Sequence, residues 1–150
     1  MNDYPDEMRK LEHGERLVAS EIVRVQRAAY SVEAALIGST DIPALRESIE
    51  DVMASRETFL GAFVDGRLVG VISWERAETW VDVCRLAVDP DYMRRGLGRR
   101  LLLDVMGPET RVQTGAANEP AIRLYESVGF QVAARFTIGL LAMVRLERRQ

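Results

Sequence analysis

What this chain lacks narrows it first. Only one of its 150 residues is cysteine, Cys84, so no internal disulfide is available and a reducing compartment, the cytoplasm, is expected. A single histidine, His13, argues against a metal centre built on several imidazoles, and no metal is expected. Lysine is almost missing: Lys10 stands alone beside the arginines. No apolar run approaches the ~20 residues a membrane helix needs, so no membrane partner is expected. The acidic, polar start at residues 1–7 predicts no signal peptide. Charge of either sign is not in large excess. A net charge of −3 gives no general pull on nucleic acid, so any basic site must be local.

What is present has the profile of a soluble globular chain, 47% hydrophobic and 29% charged. Its length predicts one domain over residues 1–150, burying about 70% of the unfolded surface. There is no internal repeat, low-complexity segment or interdomain linker.

The elements read as follows. Residues 8–11 suggest a short first strand, followed by a turn that places His13 at the surface. From Glu15 onward Val18, Ile22, Val25, Ala29, Val32 and Leu36 recur at steps of four and three, which predicts one long amphipathic helix with a single buried stripe, ended by Gly38. Asp41 is a candidate cap for a second helix with Leu45, Ile49, Val52 and Met53 on its core face. Residues 59–64 and 67–74 flank Asp65-Gly66, a two-residue hairpin turn. Residues 75–78 read as a polar link, and 79–88 as the next strand. Short strands at 111–114, 130–136 and 138–146, and a helix at 120–128 capped by Asn118, complete the order. A mixed sheet with helices on both faces follows.

One run stands out. The strand ending Leu86-Ala87-Val88 meets an Asp-Pro-Asp turn, and then Met93-Arg94-Arg95-Gly96-Leu97-Gly98-Arg99-Arg100 opens a helix whose apolar stripe is Leu97, Leu101, Leu102, Val105 and Met106. A helix start presents free backbone N–H groups and the positive end of its dipole. Gly96 and Gly98 leave those groups open, and four arginines surround them. The run is suited to an anion such as phosphate. A Walker A loop is excluded, because it needs Gly-Lys-Ser/Thr. A dinucleotide fingerprint is excluded by the missing third glycine and the mid-chain position. Taken alone, Gly-x-Gly more often eases a tight turn than binds a ligand.

The wider wording changes that balance. Residues 86–98 resemble the acetyl-CoA signature of the GCN5-related N-acetyltransferase (GNAT) superfamily, Gln/Arg-x-x-Gly-x-Gly/Ala after a strand and a proline turn. Asn118-Glu119-Pro120-Ala121-Ile122-Arg123-Leu124-Tyr125-Glu126-Ser127-Val128-Gly129-Phe130 is similar to the family's second motif, Asn-x-x-Ala-x-x-Leu-Tyr-x-x-x-Gly-Phe. The local wording is nearest the ribosomal-protein alanine acetyltransferase branch. The resemblance implies a mostly antiparallel sheet of six to seven strands, splayed between two central parallel strands. It implies acetyl-CoA as co-substrate, with its pyrophosphate on Arg94, Arg95, Gly96, Leu97, Gly98 and Arg99. The pantetheine arm would lie along Leu86, Ala87 and Val88 and meet Asn118, and backbone N–H groups near Leu86 or Val88 would steady the oxyanion.

The activity implied is transfer of an acetyl group to a primary amine of a small molecule or of a peptide or protein N-terminus. Tyr125 is the candidate general acid, protonated at neutral pH by its ordinary pKa near 10. Two positions depart from the family wording: Met93 replaces the leading Gln or Arg, and Gln113 stands where the alanine branch carries a glutamate base. Asp82 on the central strand is therefore the candidate base, with Glu75 and Glu78 behind it. Cys84 is expected to be buried and inert. The acceptor wall is expected around Tyr30, Glu33 and residues 37–41. The two departures motivate an alternative, a non-catalytic acyl-CoA-binding sensor on the same fold. A nucleic-acid-binding domain built on the Arg94–Arg100 cluster fits the acidic balance less well. The last strand is free to pair across a homodimer.

Overall fold

The computed structural model describes residues 5–38 and 43–150. Seven strands form one sheet: β1 (Glu7–Lys10), β2 (Thr58–Val64), β3 (Arg67–Ala77), β4 (Trp80–Val88), β5 (Glu109–Gly115), β6 (Gln131–Ile138) and β7 (Leu141–Arg149). Their order across the sheet is β1-β2-β3-β4-β5-β7-β6. Every neighbouring pair is antiparallel except β4 and β5, which run parallel at the centre.

Local chemistry explains the joints. Asp65 (φ 51°) and Gly66 (φ 76°) both take the left-handed conformation, which matches the twist of the β2–β3 hairpin and which Asp-Gly adopts at low cost. The four helices are α1 (Arg16–Ile37), α2 (Ile49–Met53), α3 (Leu97–Val105) and α4 (Glu119–Ser127). Residues of α1 and α2 pack with Phe59, Phe63, Val71 and Ala87 on one face of the sheet. Leu97, Leu101 and Leu102 of α3 and Tyr125 of α4 pack with Ile72, Val83, Val112 and Leu146 on the other. Helices thus cover both faces, and the architecture is the mixed, mostly antiparallel one the motifs imply.

Three local readings change. The proposed cap Asp41 lies outside the described residues, and the helix expected after it is divided. A 3-10 turn spans Pro43–Arg46, and α2 starts afresh behind Ser48. Ser48 and Asp51 form a reciprocal capping box there, satisfying two N–H groups that a continuous helix would have bonded internally. Residues 75–77 are not a link, because β3 continues through them in register with β4 and turns only at Glu78 (φ 59°). His13 is not a bare surface turn residue: its Nε2–H donates to Ser55 O at 2.8 Å, and its ring stacks 4.5 Å from Phe59.

The decisive feature is where β4 and β5 part. They pair from Trp80↔Glu109 to Val83↔Val112 and no further, although β4 continues to Val88 and β5 to Gly115. On its other side β4 stays paired with β3 up to Val88, with a bulge at Cys84. A bulge adds local twist, and it falls where the splay begins. The Leu86–Val88 backbone therefore keeps one edge bonded and has no β5 partner on the other.

Candidate active site

The splay opens into a cleft of about 470 Å³. Its floor is Leu86, Ala87 and Val88 of β4, and its rim on one side is the loop from Tyr92 into α3. The loop is built tightly. Asp89 caps a 3-10 turn at Pro90–Tyr92 by accepting the Asp91 N–H at 3.0 Å. Gly96 (φ 78°) is the residue before α3, and its carbonyl accepts the Arg100 N–H at 3.0 Å. The first N–H groups of α3, at Leu97, Gly98 and Arg99, have no carbonyl of their own helix to bond and form an anion-binding end.

Arg94, Gly96, Leu97, Gly98 and Arg99 all line the cleft. Arg94 takes φ 63°, a conformation that costs a non-glycine residue about 1 kcal/mol or more and that clusters at ligand sites. The Arg99 guanidinium leans toward Ser127 Oγ at 3.4 Å. Arg95 is absent from the lining, and its guanidinium sits 5.6 Å from the Tyr92 ring centroid. Met93 stands where the family's wording has Gln or Arg. Its side chain packs on the α1-side core while the residue still borders the cleft.

The opposite wall is helical. Asn118 caps α4: its Oδ1 accepts the Ala121 N–H at 3.3 Å, and its Nδ2 donates to Thr114 Oγ1 at 3.4 Å. It is buried and also borders the cleft, so one residue both caps α4 and lines the site. Tyr125, two turns along, is buried against Phe130 with ring centroids 5.6 Å apart. Burial raises its phenol pKa above the ordinary value, and the Glu33 carboxylate adds to that rise.

Glu33 is the residue that sequence reasoning missed as a chemical group. It projects from α1 into the same cleft as Tyr125 and Asn118. Burial raises its carboxyl pKa, partly offset by hydrogen bonding from the Asn118 side chain. Tyr30, one helical turn earlier, is buried beside it and is likewise raised, first by burial and then by Glu33. Nothing in the helix pattern marked it as a chemical group. Val32 (38% exposed) and Leu36 (49% exposed) continue the apolar stripe of α1, yet they stay open to solvent and border the cleft. The end of the predicted buried stripe is thus a cleft wall, and Glu33 lies beside it.

Asp82 is placed elsewhere. It belongs to the part of β4 still paired with β5, opposite Arg111, and its two carboxylate oxygens are engaged by Arg111 Nε and Nη2, the latter at 2.9 Å. It does not line the cleft, and neither do Glu75 nor Glu78. Gln113 is exposed on β5 in register with Arg145 and does not line the cleft. Cys84 is exposed rather than buried. Partial loss of water around the sulfur, then the carboxylates of Glu57, Glu75 and Asp82, push its thiol up to about 12, so it stays protonated. Among the described residues no group of three His, Cys, Asp or Glu side chains gathers as if to hold a metal ion, and no helix is long and apolar enough to cross a membrane.

The donor set fits a CoA ester: an unpaired strand edge for amide groups, an open helix start for a pyrophosphate, and two protonatable side chains beyond the strand. Comparison with known proteins agrees. The sequence pattern described as acetyltransferase (GNAT) domain matches residues 55–132. The chain is 43% identical over 128 residues to the UPF0157 protein YqkA of Bacillus subtilis; the match covers 82% of this chain and spans only 37% of that relative's length. It is 32% identical over 118 residues to a [ribosomal protein bS18]-alanine N-acetyltransferase of Salmonella typhimurium, covering 65% of this chain and 80% of the other. In structure it resembles the PaiA N-acetyltransferase of Thermoplasma acidophilum, solved in complex with coenzyme A, with a TM-score of 0.79, 24% identity and coverage of 96% and 98% of the two chains. With the motif pattern spanning more than half of the sequence, this chain belongs to the GNAT family of acetyltransferases.

Proposed function

We propose that the protein transfers the acetyl group of acetyl-CoA to a primary amine, and that its acceptor is the N-terminus of a peptide or protein. The observation that carries the catalytic half is the pairing of Glu33 and Tyr125 within one cleft, past the point where β4 and β5 separate and beside the open start of α3. The peptide acceptor is supported by likeness to the alanine N-acetyltransferase. Small-molecule amines remain the comparison class in the test.

Acetyl-CoA supplies a thioester. The edge of Leu86–Val88 is suited to hold its amides in the manner of an added strand, and the N–H groups of Leu97 to Arg99 its pyrophosphate. An alkyl ammonium with pKa ~10 must lose a proton before its nitrogen can attack. Glu33 takes that proton directly or through one water; its raised pKa brings it nearer the working pH than an ordinary carboxylate. As the C–N bond forms and the C–S bond breaks, Tyr125 donates its proton to the departing sulfur, and the second ammonium proton released restores the phenol. Hydrogen bonding from Asn118 steadies the Glu33 carboxylate. A sensor that never turned over would have no need of two desolvated acid–base groups in one cleft, and the enzyme reading is the stronger.

The test is thiol release from acetyl-CoA with a panel of N-terminally varied peptides, set beside polyamines, amino acids and aminoglycosides. Release with peptides and acetylation at the α-amine by mass shift is the expected result. Release only with small amines would overturn the acceptor assignment, and no release with any amine would overturn the transferase reading.

A further inference from the structure

Asp89 is a carboxylate only 6% exposed at the entrance to the pyrophosphate loop. It holds that loop through several bonds. Its own N–H donates to Val69 O at 2.8 Å, and its carbonyl accepts the Tyr92 N–H at 2.8 Å. Oδ1 is used by the Asp91 N–H. Oδ2 faces two cations, Arg24 Nη1 at 3.4 Å and, more distantly, Arg67 Nη2 at 4.0 Å. A carboxylate this withdrawn from water is unfavourable without a partner.

Arg24 reaches it from α1, and the same guanidinium is fixed at two further places. Nη2 donates to Leu68 O at 2.7 Å at the start of β3, and Nε bonds Glu21 Oε2 at 3.1 Å one turn back on its own helix. The planar group therefore spans helix, strand and loop at once, a geometry that a lysine ammonium on a flexible stem reproduces poorly. Helix α1 also carries Glu33, nine residues on, about 13.5 Å along the axis at 1.5 Å per residue. The loop itself contains Arg94 in the left-handed conformation, which persists only where the surroundings over-determine it.

We propose that Arg24 is a positioning residue for the acetyl-CoA site: clamped between Asp89 and the Leu68 carbonyl, it holds the pyrophosphate loop against α1 and β3 in the shape that receives the anion. Arg24 does not border the cleft and touches no reacting atom. It acts through Asp89.

The inference rests on the acetyl-CoA reading, and calorimetric titration with CoA itself, independent of turnover, separates the two. Wild type binding CoA is required by both; its failure to bind overturns both. Given that binding, Arg24→Met weakens CoA affinity and raises KM for acetyl-CoA by about tenfold, the worth of one charge-assisted hydrogen bond, with kcat at saturation near the wild-type value. Arg24→Lys recovers only part of the affinity. Asp89→Asn gives a similar rise in KM, and the Arg24→Met/Asp89→Asn double variant loses no more than the stronger single one, because the two act as a unit. Arg67→Met leaves KM unchanged. Unaltered CoA affinity in Arg24→Met, or additive losses in the double variant, would overturn the proposal while leaving the transferase reading intact. If Arg24→Met does not fold, Arg24→Lys and Asp89→Asn decide it by the same KM-against-kcat comparison.

Discussion

Glu33 of α1 and Tyr125 of α4 border one cleft, and burial raises the pKa of both, the Glu33 charge adding to the rise at Tyr125. Tyr125→Phe removes the phenol O–H and little else, since the ring keeps its packing on Phe130. Steady-state kinetics should show kcat lower by about 10²-fold or more, the usual worth of a positioned general acid. KM for acetyl-CoA and the melting temperature should stay close to wild type. Unchanged kcat would remove Tyr125 from the mechanism.

Glu33→Gln should separate activity from stability. A carboxylate with a raised folded pKa favours its protonated form in the native state. Its contribution to stability is present below the ordinary carboxylate value and is lost as pH rises through the folded value. Above that folded value the ionised Glu33 is a desolvated charge, and Gln, which can still accept from Asn118, relieves it. Thermal unfolding in that pH range should show a gain of about 1 kcal/mol, together with a large loss of kcat. The acid limb of the wild-type pH–rate profile should sit above the ordinary carboxylate range and vanish in the variant. Asp82→Asn is the counter-test: its carboxylate serves Arg111 outside the cleft, so turnover should persist.

The parts of the site legible in the sequence are those made within one segment. The Gly96–Gly98 loop opening α3, and Asn118 capping α4 seven residues ahead of Tyr125, are spacings along the chain, and the structure places them on one cleft. Glu33 was not legible as a cleft carboxylate because nothing local marks it. It comes beside Tyr125 only through the packing of α1 across the sheet. Asp82 looked suitable because a strand's residues do not announce where its neighbour leaves it; the splay after Val83 puts Asp82 on the paired side. The division of the second helix followed from Ser48 and Asp51, a capping pair that competes locally with continuation of the helix.

Gly96 and Gly98 should respond differently to alanine. At Gly96 φ is 78°, so a Cβ is strained although open space surrounds it, and Gly96→Ala should cost about 1 kcal/mol and raise KM for acetyl-CoA. A Cβ at Gly98 would make ordinary contacts with Leu124 (3.5 Å) and Val88 (3.8 Å) rather than project into open space. Gly98→Ala should therefore fold with near-native stability and bind CoA with little change. Chemical denaturation and CoA titration check both, and a larger loss at Gly98 would contradict the geometry.

The most costly single change to stability should be Arg85→Met. Arg85 of β4 has a side chain 11% exposed, and it bridges Glu47, Glu57 and Gln26 beneath α1. At Glu57 burial alone would raise the pKa, but hydrogen bonds from Arg85 and Ser73 outweigh it, and the net shift is downward. Glu57 therefore lends stability above its unfolded pKa and loses it as pH falls through the lower folded value. Removing Arg85 leaves two carboxylates half-buried without their cation, a loss of about 3–5 kcal/mol at neutral pH. Acidification should then narrow the gap between variant and wild type, because protonating Glu57 removes an unpaired charge only where Arg85 is gone. Denaturant unfolding across pH 4 to 8 measures this directly, and a gap independent of pH would place the cost in lost packing against Phe59, whose ring centroid lies 5.1 Å from the guanidinium.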